Sequence, residues 1–457
     1  MCISVHQLCY VHADKEPLFQ DINLTINKGQ RLALVGNNGS GKSTLLRIIE
    51  GSLRPSSGEV ICSSLPYYVP QHFGQFDHLT VAEALRVDDR IHALHAILGG
   101  ITSEENFTCL NDDWNVEERC LSALAFWNLE HVQLSQPMHS LSGGEKTKVF
   151  LSGILVHAPE IILMDEPTNH LDSSSRNKLY DRVQAGRSTM LIVSHDRTLL
   201  NLLPAVCELG RSSVTFYGGN YDFYKEQKEQ ALAALQDQLS EKEKELRLAR
   251  KVAREAMERK SKSNVRSDKF SFKKGISRMA INTLKDKAEK STVRLSAVHQ
   301  EKMASLQSSI LKLQETIPDT RALQTDFNSS GLHTGKILIT AEQVRFGYGS
   351  SFLWQKPLDM VVRSGDRIHI SGDNGSGKTT LVKLLFGCLM IGNTTPDLFI
   401  LDEPTNNLDI QSVEIITAAI KSYRGTVLLI SHDGHFVKEV KITRSVELFK
   451  SGPVIKI

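Results

Sequence analysis

A nine-residue stretch occurs twice in this chain, as "GNNGSGKST" at residues 36–44 and as "GDNGSGKTT" at residues 372–380. Both copies fit the pattern G-x-x-x-x-G-K-[ST]. Each follows an apolar run, "RLALVG" or "RIHISG", and precedes an apolar helical pattern, "STLLRII" or "TTLVKLL". A strand, a glycine-rich loop and a helix in this order form a phosphate-binding loop. The repeat therefore predicts an α/β fold with two nucleotide-binding domains, and 457 residues are too many for one compact core.

Both loops supply the groups that hold a nucleotide polyphosphate. Their backbone N–H groups point at phosphate oxygens, the lysine reaches the β and γ phosphates, and the hydroxyl that follows it suits Mg²⁺. Ser43 and Thr379 are therefore candidate metal ligands. The candidate nucleotide-binding residues are Gly36, Asn37, Asn38, Gly39, Ser40, Gly41, Lys42, Ser43, Thr44, Gly372, Asp373, Asn374, Gly375, Ser376, Gly377, Lys378, Thr379 and Thr380.

A pair of carboxylates ends a later apolar strand in each copy, within "LMDEPTNHLD" (163–172) and "ILDEPTNNLD" (400–409). The aspartate of each pair suits Mg²⁺, held directly or through water, and the glutamate suits polarisation of the attacking water. Thirty residues after each aspartate, a histidine follows another apolar strand and is a candidate contact to the γ-phosphate. The candidate metal ligands are Asp165 and Asp402, and the candidate catalytic residues are Glu166, Glu403, His195 and His432.

The two copies differ in the distance between loop and carboxylates. Lys42 and Asp165 are 123 residues apart, whereas Lys378 and Asp402 are 24 residues apart. Aligning "LLRIIEG" (45–51) with "LVKLLFG" (381–387) locates the loss directly after the second of these segments. About a hundred residues, equivalent to 52–152, are missing from the second copy.

Further motifs resemble those of ATP-binding cassette proteins. "LSGGE" at 141–145 resembles their signature motif, "YVPQ" at 68–71 resembles their Q-loop, and "TNHLD" and "TNNLD" resemble their D-loops. Two such cassettes in one chain, joined by a long charged helical linker, resemble the ABC-F family. The resemblance implies two ABC-type P-loop NTPase domains joined by a long α-helical hairpin. The expected domains are a first cassette (1–220), a hairpin with a basic tip (221–320) and a truncated second cassette (336–457) that lacks the Q-loop, helical subdomain and signature.

The resemblance also implies that the cassettes sandwich two ATP molecules with Mg²⁺, each site combining one cassette's loop with the other's signature. Gln71 would join the first site as a catalytic residue and metal ligand. The first site's partner signature falls within the missing segment, and the second site has no Q-loop of its own. We therefore expect weak, asymmetric hydrolysis, with the second site the more active. The signature residues donated to the second site are Ser142, Gly143, Gly144 and Glu145.

Two more expectations follow from the family pattern. Adenine stacking would fall to an aromatic residue about 25 residues before each loop, here Tyr10 and Tyr348, although His12 is the residue in register with Tyr348. Because the strand before the Q-loop belongs to the nucleotide-binding core, the second cassette is expected to have an incomplete sheet with an exposed edge.

The linker has an unusual charge. Residues 225–320 contain 22 Lys and Arg against 14 Asp and Glu, so they carry +8, while the whole chain carries +2. Apolar residues at helical spacing, such as Leu232, Leu235 and Leu239, then Leu306 and Ile310, predict two helices in an antiparallel coiled coil. Between them, residues 261–280 form a predicted tip in which basic and phenylalanine side chains alternate. Such a tip suits RNA, while a solvated charged hairpin is the simpler alternative. The candidate RNA-binding residues are Arg266, Lys269, Lys273, Lys274 and Arg278.

In the ABC-F family the corresponding hairpin enters the ribosome's tRNA exit site. The resemblance thus implies a ribosome partner (rRNA and tRNA) and a translation factor or an antibiotic-resistance ribosome protection protein. The alternatives are the ATPase subunit of a membrane transporter, a DNA-repair ATPase, or a degenerate remnant that hydrolyses little. No apolar run approaches the roughly 18–20 residues that span a bilayer, so we expect no membrane segment, a cytoplasmic location, and a monomer whose cassettes pair within one chain.

The cysteines and the histidine pair of the chain do not predict a metal site. Seven scattered cysteines without a C-x-x-C pair indicate a reducing compartment rather than disulfides or zinc. His92 and His95 lie about one helical turn apart, but without further ligands at metal-binding spacing they indicate a surface helix face.

Overall fold

The computed structural model describes residues 2–12, 16–210, 212–273, 294, 297–298, 300–314, 332–348, 351–373, 375–387, 397–406, 408, 410–449 and 452–456. It divides into two compact units, one made of Met1–Tyr224 and Leu323–Ile457 and the other of Lys225–Ala322. The first unit therefore contains both nucleotide-binding segments, called here the first cassette (2–224) and the second cassette (332–456).

The first cassette is built on a six-stranded sheet with the order β5-β6-β7-β3-β8-β9, in which only β9 is antiparallel to its neighbour. A separate antiparallel sheet has the order β2-β1-β4. The strands are β1 (Ile3–Val11), β2 (Pro17–Ile26), β3 (Arg31–Val35), β4 (Ser57–Cys62), β5 (Tyr67–Val69), β6 (Ile161–Asp165), β7 (Thr189–Val193), β8 (Ala205–Leu209) and β9 (Val214–Tyr217).

The apolar runs in the sequence become central strands because both faces of the sheet are covered. All five residues of β6 are buried, and they alternate between two hydrophobic clusters. Ile161 and Leu163 pack on one face, and Ile162 and Met164 on the other. The phosphate loop and the carboxylates follow β3 and β6 at the carboxyl edge of this sheet, which is where open α/β sheets bind ligands.

The helices of the first cassette cover the sheet and extend it with a helical subdomain between β5 and the signature motif. Two short 3-10 turns, at Gly74–Phe76 and Met138–Ser140, flank that subdomain. The helices are α1 (Lys42–Glu50), α2 (Val81–Ala84), α3 (Asp88–Leu98), α4 (Glu104–Leu110), α5 (Val116–Phe126), α6 (Gly143–His157), α7 (Ser173–Ala185) and α8 (Arg197–Asn201).

The long helix α9 (Tyr221–Lys273) begins in the first unit, where Tyr221 and Tyr224 pack in the cassette core. In the second unit it packs against α10 (300–314) through a cluster of Leu246, Leu306 and Ile310. The two predicted helical segments therefore contact each other, and their coiled-coil geometry remains a prediction. The predicted tip begins too early, because α9 continues through residues 261–273. No glycine or proline interrupts the chain before Gly275, so nothing local stops the helix.

The second cassette repeats the first sheet with one strand fewer. Its order is β15-β16-β14-β17-β18, again with only the last strand antiparallel to its neighbour. Its strands are β10 (Ile337–Val344), β11 (Gly347–Tyr348), β12 (Ser351–Phe352), β13 (Leu358–Arg363), β14 (Arg367–Ser371), β15 (Leu398–Asp402), β16 (Thr426–Ile430), β17 (Arg444–Phe449) and β18 (Gly452–Lys456). Its helices are α11 (Lys378–Gly387), α12 (Ile410–Ser422) and α13 (Gly434–Glu439).

β15 takes the place that β6 has in the first cassette, but its outer edge has no partner strand within the described residues. Four of its residues are half-buried and Asp402 is exposed, whereas every residue of β6 is buried. The cause lies in the sequence, because 52–152 of the first cassette carry β4, β5 and the helical subdomain. The described sheet agrees with the expected incomplete sheet.

The six cysteines in the described part of the chain are all free. No helix among the residues that the structure describes is both long and apolar enough to cross a membrane. The predicted domain boundaries at 220, 320 and 336 remain predictions.

Candidate nucleotide-binding sites

The two phosphate loops adopt the same backbone conformation. Gly36 and Gly372 have φ of 155° and 143°, and Gly41 and Gly377 have φ of 93° and 92°. A Cβ on Gly41 would lie 2.7 Å from Cδ2 of Leu18 and have a φ that L side chains rarely adopt. Glycine at this position therefore lets the loop turn directly into α1 with its N–H groups free to face an anion.

Each loop lysine lies folded over its own loop. Nζ of Lys42 donates to the carbonyl oxygens of Gly36 and Asn37 at 2.8 and 3.1 Å. Lys378 makes the equivalent bonds to Gly372 and Asp373 at 2.6 and 3.0 Å. Burial lowers the pKa of Lys378. The two ammonium groups thus lie above the cradles where phosphates would bind, as the motif predicts.

The glutamate after each metal-binding aspartate occupies the left-handed region, with φ of 50° at Glu166 and 48° at Glu403. This conformation is uncommon for a residue with a side chain and is stored strain. It is held by the neighbouring strand, because the N–H of Glu166 donates to Val193 O at 2.8 Å and that of Glu403 to Ile430 O at 2.9 Å. In this conformation, Glu166 lines the first cavity and Glu403 lines the second.

Both glutamates meet the predicted histidines. The His195 N–H donates to Oε2 of Glu166 at 3.1 Å, and the His432 N–H donates to Oε2 of Glu403 at 3.4 Å. Burial, with the nearby Asp165 charge, raises the pKa of Glu166 to about 8. Burial also raises the pKa of Glu403. Burial, with the Lys378 and Arg176 cations, lowers the pKa of His432 to about 3, so this imidazole is neutral at pH 7.

Glu166 makes folding stability pH-dependent. Its folded pKa of about 8 lies above the ordinary 4.5, so between these values the folded chain holds a proton that the unfolded chain releases. Raising the pH through this window therefore favours unfolding. The free energy of unfolding, measured with urea, should fall less in Glu166→Gln than in the parent when the pH is raised from 5 to 8.5. The difference between the two should be about 1–3 kcal/mol.

The matched control is the exposed Glu130→Gln, which should keep the parent's pH dependence. A Glu166→Gln variant that follows the parent at both pH values would show that Glu166 is already ionised in the folded state.

The first site fits Mg²⁺. Asp165 is 1% exposed, and within the described residues its Oδ1 accepts no hydrogen bond. The same cavity is lined by Ser43 and Gln71. A buried carboxylate oxygen that faces a hydroxyl and an amide oxygen is a suitable donor set for a hard cation. Thr379 and Asp402 line the second cavity in the same way.

The first cavity has a volume of about 340 Å³. It brings together most of the predicted first-site residues, while Gly36 and Asn37 hold Lys42 from outside. All its described lining residues belong to the first cassette: His12, Leu18, Asn38, Gly39, Gly41, Lys42, Ser43, Thr44, Gln71, Asp165, Glu166, Val193 and His195.

The second cavity, of about 1090 Å³, lies between the cassettes. The first cassette contributes the signature, with Ser142, Gly143, Gly144 and Glu145 side by side, together with the D-loop and nearby residues. The second cassette contributes its loop, carboxylates and histidine. The second-cassette lining is Leu353, Asp373, Gly375, Ser376, Gly377, Lys378, Thr379, Thr380, Asp402, Glu403, Asn406, Ile430 and His432.

The signature opens a helix toward this cavity. Ser142 caps α6 in a capping box, in which its hydroxyl oxygen accepts from the N–H of Glu145 at 3.4 Å and its own N–H donates to Oε2 of Glu145 at 2.8 Å. Backbone N–H groups at the start of a helix of 15 residues favour an anion. The helix thus presents donors to the side of the cavity opposite Lys378.

The two candidate metal ligands, Asp165 and Asp402, differ in their surroundings. In the first cassette the hydroxyl of Tyr68, on β5, donates to Oδ2 of Asp165 at 3.3 Å, and burial raises the pKa of Asp165. The second cassette has no β5 counterpart within the described residues, and Asp402 is exposed. The missing segment therefore removes a partner and a cover from the second site.

The adenine assignment needs a correction. Tyr10 does not line the first cavity; His12 does, and Tyr10 lies edge-on to it with ring centroids 5.5 Å apart. The Tyr10 ring contacts Phe19, with ring centroids 6.2 Å apart, whereas His12 lies beyond the end of β1 at Val11. Tyr348 lies in β11, and its side chain and Asn374 lie outside the described residues. The cavity therefore favours His12, the residue in register with Tyr348.

Sequence reasoning missed a buried ion pair beside the second site. Nζ of Lys148 lies 3.3 Å from Oδ2 of Asp172, both side chains are at least nine-tenths buried, and both residues line the second cavity. Lys148 lies three residues after Glu145 on the signature helix, so the helical spacing was the available signal.

Contacts between the cassettes confirm that they pair within this chain. Oγ of Ser173 lies 3.2 Å from Nδ1 of His432. Arg197 donates to Glu414 at 2.8 Å, and Ile410 packs against the core of the first cassette.

The candidate RNA-binding residues fall partly outside the structure. Arg266, Lys269 and Lys273 lie in α9, with side chains outside the described residues, and Lys274 and Arg278 are outside them altogether. His92 and His95 form surface ion pairs with Asp88 and Glu117 at 3.4 and 2.9 Å. The described part of the chain contains no cluster of metal-ligating side chains beyond these pairs.

Known proteins agree with this fold. The family profile described as "ABC transporter" matches residues 19–169. "ATP-binding protein Uup" of Escherichia coli (strain K12) is 27% identical, covering 95% of this chain and 78% of that protein. "ABC transporter F family member 2" of Arabidopsis thaliana is 23% identical, covering 95% of this chain and 75% of its own. A solved archaeal ribosome recycling factor, aABCE1, in complex with the ribosomal stalk protein aP1, matches 98% of this chain and 89% of that chain with a TM-score of 0.54 and 16% identity.

The fold is that of ABC-type P-loop NTPase cassettes. The resemblance to the ABC-F family is confirmed, because relatives that include F family members match nearly the whole chain. The alignment to Uup extends over 539 positions, more than the 457 residues of this chain. That relative therefore has residues opposite gaps in this chain, as the missing segment requires.

Proposed function

We propose that this protein binds ATP with Mg²⁺ at both loops and hydrolyses it slowly, chiefly at the second site. The observation that carries the proposal is the second cavity, where Ser142 and Gly143 of the first cassette face Lys378 and Glu403 of the second. Phosphoryl transfer is accelerated mainly by positioning and by donors aimed at the transferred phosphate. Donors lie on both sides of the second cavity, whereas the described lining of the first comes from one cassette.

The chain's own groups can perform this chemistry. The Glu403 carboxylate, fixed by the His432 N–H, is suited to orient the attacking water. Neutral His432 can donate a hydrogen bond to phosphate without changing the charge of the site. Mg²⁺, held by Thr379 and Asp402, would neutralise phosphate charge. The rate is low because the second cassette has no counterpart of Gln71 and the first site has no partner signature.

The partner in this proposal is the ribosome, contacted through the helical segment 221–320 between cassettes 1–220 and 336–457. Support comes from the +8 charge of residues 225–320, from the long helix α9 and from the ABC-F resemblance. Lys and Arg on an extended hairpin can neutralise RNA phosphates at a distance from the ATP sites. The role is that of a cytoplasmic translation factor or antibiotic-resistance ribosome protection protein acting as a monomer.

Co-sedimentation with ribosomes tests this proposal. The protein should pellet with ribosomes more strongly with a slowly hydrolysed ATP analogue than with ADP, because closed cassettes fix the hairpin. Equal recovery with ribosomes under both conditions, or none from a folded protein, would contradict it.

A tip variant tests the surface. Replacing Lys273, Lys274 and Arg278 together by Gln should weaken ribosome binding and reduce its salt-dependence slope by about 2, since each lost phosphate contact removes somewhat less than one unit. The matched control replaces Lys244, Arg247 and Lys251 by Gln; these three residues are exposed on α9. Equal losses in both variants would indicate a general charge effect and not binding by the tip.

A further inference from the structure

Arg176 is a buried arginine that lines the second cavity and helps to keep His432 neutral. It lies on α7, four residues after Asp172 of the D-loop, and is 9% exposed. Its Nε donates to Leu171 O in the D-loop at 3.2 Å. A buried guanidinium needs partners for its remaining N–H groups, and these partners lie next to the two nucleotide sites: a carboxylate at ion-pair distance and a backbone carbonyl that accepts a hydrogen bond.

The first partner lies next to the first site and is ionic. Nη1 of Arg176 lies 3.8 Å from Oδ2 of Asp196, which accepts its hydrogen bond from the Tyr180 hydroxyl and whose neighbour in the chain is His195. Asp196 also caps α8 by accepting from the N–H groups of Thr198 and Leu199. A displacement of His195 toward a bound phosphate would therefore move the carboxylate that Arg176 faces.

The second partner belongs to the other site. Nη1 of Arg176 donates to the backbone carbonyl of His432 at 3.0 Å. The N–H of that same residue holds Glu403. One guanidinium thus contacts the histidine segment of the second site and the carboxylate next to the histidine of the first.

Among the described residues, no side chain of the second cassette makes the contact that Arg176 makes from the first. In register, the second cassette has Val413 where the first has Arg176, and Ile410 where the first has Ser173. Neither side chain can donate a hydrogen bond, and Ile410 packs into the first cassette's core. Polar coupling through this position therefore depends on one side chain.

We propose that Arg176 is a positioning residue that couples the sites, so that ATP at the first site strengthens ATP binding at the second. This rests on the proposed function, since it assigns the first site a regulatory role. A nucleotide that draws His195 inward brings Asp196 closer to Arg176 than 3.8 Å. The guanidinium is then held more firmly against the His432 carbonyl, which orders the second site before its nucleotide arrives. Coupling of this kind commonly changes affinity 5- to 150-fold.

The test is a double-mutant cycle in a Glu166→Gln background, where turnover reports the second site. Lys42→Ala empties the first site, and Arg176→Met removes the guanidinium at similar length. With slow chemistry, KM for ATP approaches the dissociation constant. We expect Lys42→Ala to raise KM about 5- to 10-fold with Arg176 present, with kcat changing less than about 2-fold. In the Arg176→Met background, Lys42→Ala should change KM less than about 2-fold.

Two controls keep the test decisive. Arg182→Met, on the exposed face of α7, should preserve the full KM response to Lys42→Ala. Arg176→Lys, which keeps one cationic donor, should preserve part of it, and it replaces Arg176→Met if that variant unfolds.

An unchanged KM response beside either Arg176 variant would overturn the coupling and leave the proposed ATPase intact. Failure of the parent to bind ATP in equilibrium dialysis would overturn both.

Discussion

Glu403→Gln is expected to lower steady-state ATP turnover about 100-fold or more, the usual contribution of a positioned general base, whereas Glu166→Gln should change it less than about 3-fold. Both substitutions keep the shape of the side chain and an oxygen that accepts the histidine N–H. The two glutamates differ in their surroundings. The cavity of Glu403 includes the signature, and the cavity of Glu166 does not. Phosphate release at saturating ATP measures the effect.

Glu166 has a second disadvantage as a base. Its pKa of about 8 leaves it mostly protonated at pH 7 in the nucleotide-free protein. Equilibrium dialysis should find the same number of bound ATP molecules in both variants, which separates loss of chemistry from loss of binding. A larger loss in Glu166→Gln than in Glu403→Gln would reverse the assignment of the active site.

Restoring a middle to the second cassette should have an effect of comparable size in the opposite direction. Inserting a copy of residues 52–152 between Gly387 and Cys388 would supply β5, a Q-loop and a second signature. Oxyanion-type donors are each worth about 10²–10³ in rate, so turnover should rise at least tenfold. Phosphate release per chain measures the gain.

The matched control is the same insertion with the serine equivalent to Ser142 replaced by Ala and the following glycine by Asp. If the insertion acts by completing the first site, this control should lose most of the gain. If it acts only by covering the edge of β15, the control should keep the gain. An insertion that folds and leaves turnover unchanged would mean that the missing segment does not limit the rate.

The sequence was informative wherever a motif fixes both backbone and chemistry. Lys42 and Lys378, and Glu166 and Glu403, were predicted from spacing; each lysine lies over its own loop and each glutamate follows a strand end, where few backbone conformations are available. The loss of β5 from the second sheet also followed from two intervals of unequal length.

Other features depend on contacts between distant segments, and spacing does not report them. His12 rather than Tyr10 lines the first cavity, and His12 is the first residue after β1 ends at Val11. Helix α9 extends through Lys273 because helix propensity continues beyond the expected start of the tip at residue 261. Arg176 is recognisable only after its register partner Val413 is known and the cassettes are seen together.

The matching backbone at Glu166 and Glu403 has a consequence for how a cassette is assembled. The left-handed turn is held by the strand next to it, β7 or β16, and that strand also leads to the histidine 29 residues after the glutamate. These groups therefore stay aligned in a cassette that lacks the equivalent of residues 52–152. The Q-loop, helical subdomain and signature belong to the part of the cassette that the second copy lacks. The second cassette thus keeps its own loop, carboxylates and histidine, and its cavity obtains the signature from the first cassette.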